Sequence, residues 1–266
     1  MNVTEFSWNE NLLKRQNNPL LPNNIRVLLI GKSGCGKTNL LLNLLLKEGW
    51  LDYDNLQVFG KSLFQPEYKI IKTGFEQNLP KEVISNLFHN EDYCVENNIS
   101  PHQVLQEAGK LYKYNKSPMT SSVKCCFYEN ANDVPDPKEL KSTDKNLMIF
   151  DDLLLEKQNK CQDYYVRGRH SNVDCFYLAQ NYFKLPRQTI RENANFLCFF
   201  KQDTKNLNHI YNDHVSTDMS IEEFKRVCKK CWEQPYGFII IDNSSDKYNG
   251  KYRYKLDTFY FPEETI

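Results

Sequence analysis

The chain has 266 residues, with 34 basic and 34 acidic side chains, a formal net charge of +0 and 40% hydrophobic residues. That balance argues against a histone-like basic coat for nucleic acid and does not exclude a local basic patch. The length suits one α/β domain with a small appendage, and 16 Phe and 16 Tyr are available to fill its core.

Nine cysteines, an odd and scattered set, point to free thiols in a reducing compartment. The opening residues MNVTEFSWNENLLKR lack the apolar stretch of a secretory signal. No apolar run approaches the ~20 residues of a membrane span; Leu40–Leu46 is broken by Asn43. The expectation is a soluble protein.

In chain order, residues 1–23 are rich in Asn and Pro and read as a loose N-terminal arm, with one domain over 24–266. Ile25–Ile30 reads as a buried strand ending in glycine, followed by a leucine-rich helix from Lys37 to Glu48 that Gly49 stops. Leu56–Phe59 is a second strand. Residues 62–110 are helical and polar, punctuated by Pro66, Pro80 and Pro101. Cys125-Cys126 reads as a buried strand segment, and Val134–Pro137 as a turn before the strand Leu147–Phe150. A helix over Gln158–Arg169 precedes strands at Cys175–Ala179 and Phe196–Phe200. The tail adds a helix over Ile221–Trp232 and two strands, Gly237–Ile241 and Tyr252–Leu256, whose connecting turn Asn243–Gly250 suggests a hairpin. Alternating strands and helices predict an α/β fold: a mostly parallel sheet flanked by helices, with a C-terminal β-hairpin.

The firmest motif is Gly31-Lys32-Ser33-Gly34-Cys35-Gly36-Lys37-Thr38, a G-x-x-x-x-G-K-[ST] loop between a buried strand and a helix. Its glycines let backbone N–H groups turn inward as an anion cradle, and the helix start adds partial positive charge. Lys37 would reach the β/γ-phosphates of a nucleoside triphosphate, and the Thr38 hydroxyl would ligate Mg²⁺. Cys35 fills a variable position. It reads as a small side chain that fits, the other reading being a redox switch that blocks the phosphates.

Leu147–Phe150 leads directly into Asp151-Asp152. A buried strand ending in Asp sets a carboxylate at the C-terminal edge of a parallel sheet, where ligands bind. Asp151 would hold Mg²⁺ and Asp152 would polarise the attacking water. Gln180, at the end of another strand, is a candidate γ-phosphate sensor or a strand-end cap. Arg167, Arg169, Arg187 and Arg191 are expected near the same edge. One of them could serve a neighbouring subunit's site as an arginine finger, Arg169 with His170 first and Arg191 second; DNA phosphates are the competing use. Cys228-Lys229-Lys230-Cys231 lacks further zinc ligands at suitable spacing and reads as the core face of an amphipathic helix.

These motifs in this order resemble the poxvirus-type DNA-packaging ATPases of the FtsK–HerA superfamily, most closely the versions in virophages and Polinton-like elements. GKSGCGKT, VPDP…KNLMIFDD, RGRHSNVDCFYLAQNYFKLPR and RENANFLCFF carry the resemblance over residues 25–205, about two-thirds of the chain. It implies a P-loop core whose Asp-Asp strand is separated from the P-loop strand. It further implies ATP and Mg²⁺ as cofactors and a homo-oligomeric ring, hexamer or pentamer. Such a ring would drive double-stranded DNA into a capsid or through its portal vertex, in a virus factory in the host cytoplasm or nucleus. By motif position Gln180 is the sensor, and the RGRH arginines fall where trans-acting arginines are expected. Many superfamily members have Glu where this chain has Asp152; Glu156 is a substitute base only if its helix begins early. A P-loop nucleotide kinase, with Arg187 and Arg191 as lid arginines, and a low-turnover nucleotide-binding assembly factor are the rival readings. A GTPase is disfavoured because no N-K-x-D motif occurs. Lys225–Lys230, Lys247 and Lys251 are candidate DNA contacts.

Overall fold

The computed structural model describes residues 17–89, 99–114, 123–154 and 158–262; the side chains of residues 88, 89, 111–114, 169 and 170 fall outside it. Nine strands, β1 (Arg26–Ile30), β2 (Asn55–Gly60), β3 (Lys124–Tyr128), β4 (Asn146–Asp151), β5 (Val173–Ala179), β6 (Phe196–Phe199), β7 (Ile239–Asp242), β8 (Tyr252–Tyr254) and β9 (Thr258–Tyr260), form a single sheet. Their order is β3-β2-β4-β5-β1-β6-β7-β8-β9. Every pairing from β3 to β6 is parallel, and every pairing from β6 to β9 is antiparallel.

The helices are α1 (Lys37–Leu46), α2 (Pro66–Glu76), α3 (Lys81–His89), α4 (Pro101–Tyr114), α5 (Asn159–Arg167), α6 (Thr204–His214) and α7 (Ile221–Cys231). The central strands are apolar throughout because both faces of the sheet are covered. Their side chains alternate between two cores with period two. Val27, Leu29, Leu147, Ile149, Phe176 and Leu178 join α1–α4 on one face. Leu28, Ile30, Met148, Phe150, Tyr177 and Ala179 join α5–α7 on the other.

The predicted hairpin is present, and β9 extends it to a three-stranded antiparallel tail. Cys125-Cys126 forms a strand, but one at the sheet edge, with Cys126 exposed. Cys125 packs inward against the α1–α4 core, while its neighbour points the other way. Helix α6 was not expected: TKNLNHIYNDH offers only Leu207 and Ile210 as buried apolar residues, and the Asp203 carboxylate caps its start through the Asn206 N–H. Within the sequence-defined arm, Asn17 is buried and donates to Asp174, and Leu21 enters the core.

Candidate functional site

The phosphate loop begins while its backbone is still part of the sheet: the Gly31 N–H donates to the Ala179 carbonyl at 3.0 Å, and the Phe200 N–H to the Ile30 carbonyl at 2.8 Å. A Cβ on Gly31 would lie 2.4 Å from the Cys35 Sγ and 3.0 Å from the Phe200 Cβ, so only glycine fits. Gly34 (φ 73°) and Gly36 (φ 103°) take left-handed conformations that turn the loop back over the start of α1. No side chain caps α1. Its first N–H groups are therefore presented to an anion. The Lys37 ammonium donates to the carbonyls of Gly31 at 2.6 Å and Lys32 at 3.0 Å, arching over the loop. Cys35 packs against the sheet core, as a small fitted side chain would.

One strand away, β4 ends in Asp151. The Tyr68 hydroxyl, from α2, donates to the Asp151 Oδ2 at 2.6 Å. Burial pushes the Asp151 carboxyl above its ordinary value, and Asp152 adds to this; Tyr68 and Lys37 pull it back. Asp152 follows at φ 50°, a conformation Asp tolerates better than most residues. Its N–H still pairs with the Leu178 carbonyl, at 3.0 Å. Gln180 Nε2 donates to the Asp152 Oδ2 at 2.8 Å. Strand β5 lies between β1 and β4, so Gln180 emerges between the loop and the carboxylates.

A cavity of about 320 Å³ joins these groups: Ser33, Gly34, Gly36, Lys37 and Thr38 on one side, with Asp151, Asp152 and Gln180 on the other. The volume lies at the lower end of the range for small-molecule sites. Ser62, Gln65, Glu67 and Tyr236 also line it. Sequence reasoning missed all four, and Tyr68 with them. Proline at position 66 foretells a helix start near Glu67 and Tyr68, but nothing local joins Tyr68 to a carboxylate 83 residues away. Among the described residues, no cluster of three or more His, Cys, Asp or Glu could hold a metal. The donors beside the loop are Thr38 and Asp151, the sparse set expected of Mg²⁺ that keeps its other ligands from water and phosphate. Glu156 lies outside the described residues.

Arg167 and Arg169 fall elsewhere than expected. Arg167 ends α5, and the backbone of Arg169 and His170 follows in a 3₁₀ turn, Gly168–Ser171, just before β5 begins. That is the N-terminal edge of the sheet, the length of β5 away from Gln180. Seven residues of strand make this about 23 Å. The Arg169 side chain is outside the described set. Arg187 is 65% exposed and ion-paired with Glu192 at 3.1 Å. Arg191 is buried, 3.1 Å from Asp213, with its guanidinium over the Tyr182 ring. A guanidinium so enclosed is not presented to a neighbouring molecule. Lys251 is likewise engaged, by Asp218, whereas Lys225, Lys229 and Lys230 are exposed on α7. Cys228 and Cys231 are buried in the core, and the Cys231 thiol donates to the Phe238 carbonyl at 2.8 Å.

An uncapped glycine loop, an overarching lysine and a carboxylate pair one strand removed, all on one cavity, define a P-loop nucleoside triphosphatase. A family model described as Poxvirus A32 protein matches residues 102–255, more than half of the chain. The chain belongs to the poxvirus A32 family and is an ATPase. The match takes in Asp151, Asp152 and Gln180; the phosphate loop precedes it.

Among solved structures, the chain is similar to the genome packaging NTPase B204 from Sulfolobus turreted icosahedral virus 2 in complex with AMPPCP. Identity is 10% and the TM-score 0.46, with 84% of this chain and 95% of that chain covered. It is also similar to VirB4 of Thermoanaerobacter pseudethanolicus, at 9% identity and a TM-score of 0.43, covering 91% of this chain and 89% of that one. At these levels neither likeness bears on what this chain binds. No curated protein matches it. No described helix is long and apolar enough to cross a membrane.

Proposed function

We propose that this ATPase is the motor that translocates double-stranded DNA of a virus or virus-like element into a capsid. Residues 24–266 would form the motor domain, residues 1–23 its N-terminal arm. It would act as a homo-oligomeric ring, hexamer or pentamer, at the capsid or portal vertex, in the infected cell's cytoplasm or nucleus. The observation that carries the reading is the meeting of Lys37, Thr38, Asp151, Asp152 and Gln180 around one cavity, on a sheet that inserts β5 between loop and carboxylates. Membership of the A32 family supports the same reading.

In this mechanism Gly31–Thr38 bind the phosphates through backbone N–H groups, and Lys37 leaves the loop carbonyls to reach the β/γ-phosphates. Thr38 and Asp151 would hold Mg²⁺, which when bound neutralises phosphate charge. Tyr68 fixes the orientation of Asp151. Asp152 accepts a proton from the attacking water at the carboxylate oxygen that Gln180 does not occupy. Gln180, hydrogen-bonded to that base, senses whether the γ-phosphate is present. Arg169, at the opposite edge in its own subunit, would act on a neighbour's site, which fits a ring better than a monomer.

The test is phosphate release by the purified protein with and without double-stranded DNA, beside electron microscopy of the same sample with ATP. DNA-stimulated, salt-sensitive release and closed rings are expected. Rates unchanged by both Lys37→Ala and Asp152→Asn, or a monomer under all conditions, would sink the motor reading. A phosphorylated small-molecule product would instead indicate a kinase.

A further inference from the structure

The cavity has a second end. The strand order β4-β5-β1-β6-β7 puts the carboxylates on one side of the phosphate loop and the approach to β7 on the other. That approach carries Tyr236, in the turn between α7 and β7. Tyr236 is 71% exposed, the highest fraction among the exposed large apolar side chains of the described residues, yet it lines the nucleotide cavity. Its ring edge is 3.3 Å from the position a Cβ would take on Gly36, so it stands directly beside the last glycine of the loop. Its backbone is left-handed, at φ 57°.

This combination is costly for a mere turn. A tyrosine at positive φ is strained, and Asn or Gly would serve a turn at less cost. The ring also gains little burial in return. The surrounding turn is nevertheless fixed. The Gly237 N–H donates to the Gln234 carbonyl at 3.0 Å, and a Cβ on Gly237 would lie 2.0 Å from the Cys231 carbonyl oxygen. The Cys231 thiol holds the next residue through the Phe238 carbonyl. Strain retained in a rigid turn beside a ligand cavity marks a positioning role.

We propose that Tyr236 is the platform on which the base of the bound nucleotide stacks. The inference rests on the phosphate-cradle reading of Gly31–Thr38. A triphosphate whose terminal phosphate points at Asp151 and Asp152 runs across the loop and delivers its base on the side of Gly36, where the exposed ring stands. Stacking needs only an open aromatic face.

Binding of ATP and of inorganic tripolyphosphate, which has no base, tests this in the full chain. Tyr236→Ala weakens ATP binding about tenfold or more and leaves tripolyphosphate unchanged; Tyr236→Phe alters neither by more than about twofold. KM for ATP rises in Tyr236→Ala while kcat holds. Tyr236→Gly binds ATP as poorly as the alanine variant yet melts at a higher temperature, because the backbone strain is released. Equal weakening of both ligands by Tyr236→Ala would show that the residue shapes the loop and overturn the proposal, as would unchanged ATP affinity. Lys37→Ala must weaken both ligands. If the unmodified protein binds neither, the cradle reading itself fails, and the stacking role with it.

Discussion

Two aspartate sites at opposite edges of the same sheet show how partners, rather than burial, separate structure from chemistry. Asp174, near the start of β5, is 1% exposed and fully engaged: Lys145 lies at 3.0 Å, Asn17 donates at 2.8 Å and the Ile25 N–H at 3.0 Å. Burial pushes its carboxyl up, and Lys145 and the hydrogen bonds oppose that push. Asp151, at the end of β4, is also pushed up by burial, but its side-chain partner is the Tyr68 hydroxyl alone and it faces an open cavity. The first site has no capacity left for a ligand; the second has kept its own.

The comparison is broken most forcefully at Asp174. Asp174→Ala strands a buried lysine and should cost about 3–5 kcal/mol of stability, read from the urea midpoint. ATP turnover per folded molecule should stay near normal; turnover lost before stability would move Asp174 into the active site. Lys37→Ala makes the opposite cut: turnover falls roughly a hundred- to a thousandfold with the melting temperature unchanged within error.

A third, partly buried network sharpens the contrast through pH. His214 is held by Asn243 Nδ2 at 3.0 Å and by the Tyr182 hydroxyl at 2.8 Å, and that hydroxyl donates to Asp213. The consistent arrangement has a neutral ring, with Asn243 donating to Nδ1 and Nε2–H donating to Tyr182. Burial lowers the His214 pKa from 6.5 to about 4, with Lys251 and Arg191 helping and Asp213 opposing. The unfolded chain then binds a proton that the folded chain refuses, so stability is lost as pH falls from about 6.5 towards 4, by up to about 3 kcal/mol. Denaturation at pH 7 and pH 5 should show the slope, and His214→Gln should flatten it. The smallest effect belongs to Tyr68→Phe, which removes one hydrogen bond to Asp151. A loss of about 1 kcal/mol in stability is expected, with turnover several-fold lower. A drop as deep as that of Lys37→Ala would mean that Tyr68 itself touches the reacting groups.

Motifs carried by contiguous residues were legible in the sequence. Gly31–Thr38 and Asp151-Asp152 each contain their own chemistry and lie where a strand gives way to a loop. Gln180 was legible as a strand end, although its hydrogen bond to Asp152 was not. Glu67 and Tyr236 reach the cavity, and Tyr68 reaches Asp151, through tertiary packing, which no local pattern records. The place of Arg167 and Arg169 within the subunit was misjudged for a related reason. Their nearness in sequence to Gln180 suggested nearness in space, but β5 carries Gly168–Ser171 and Gln180 to opposite edges. Helix α6 escaped notice because three Asn, two His and a Thr mask its period, and its cap by Asp203 is visible only once the helix is known.

The interposed strand β5 also acts as a gauge. Two strand spacings set the loop and the carboxylate pair about 10 Å apart. That width is written in backbone hydrogen bonds from Arg26 to Asp151 rather than in any side chain. Substitutions at the strand ends can retune the chemistry of the site, but none of them can change its bore. The reach from phosphate cradle to proton acceptor is therefore a property of the sheet, beyond the range of single-residue variation.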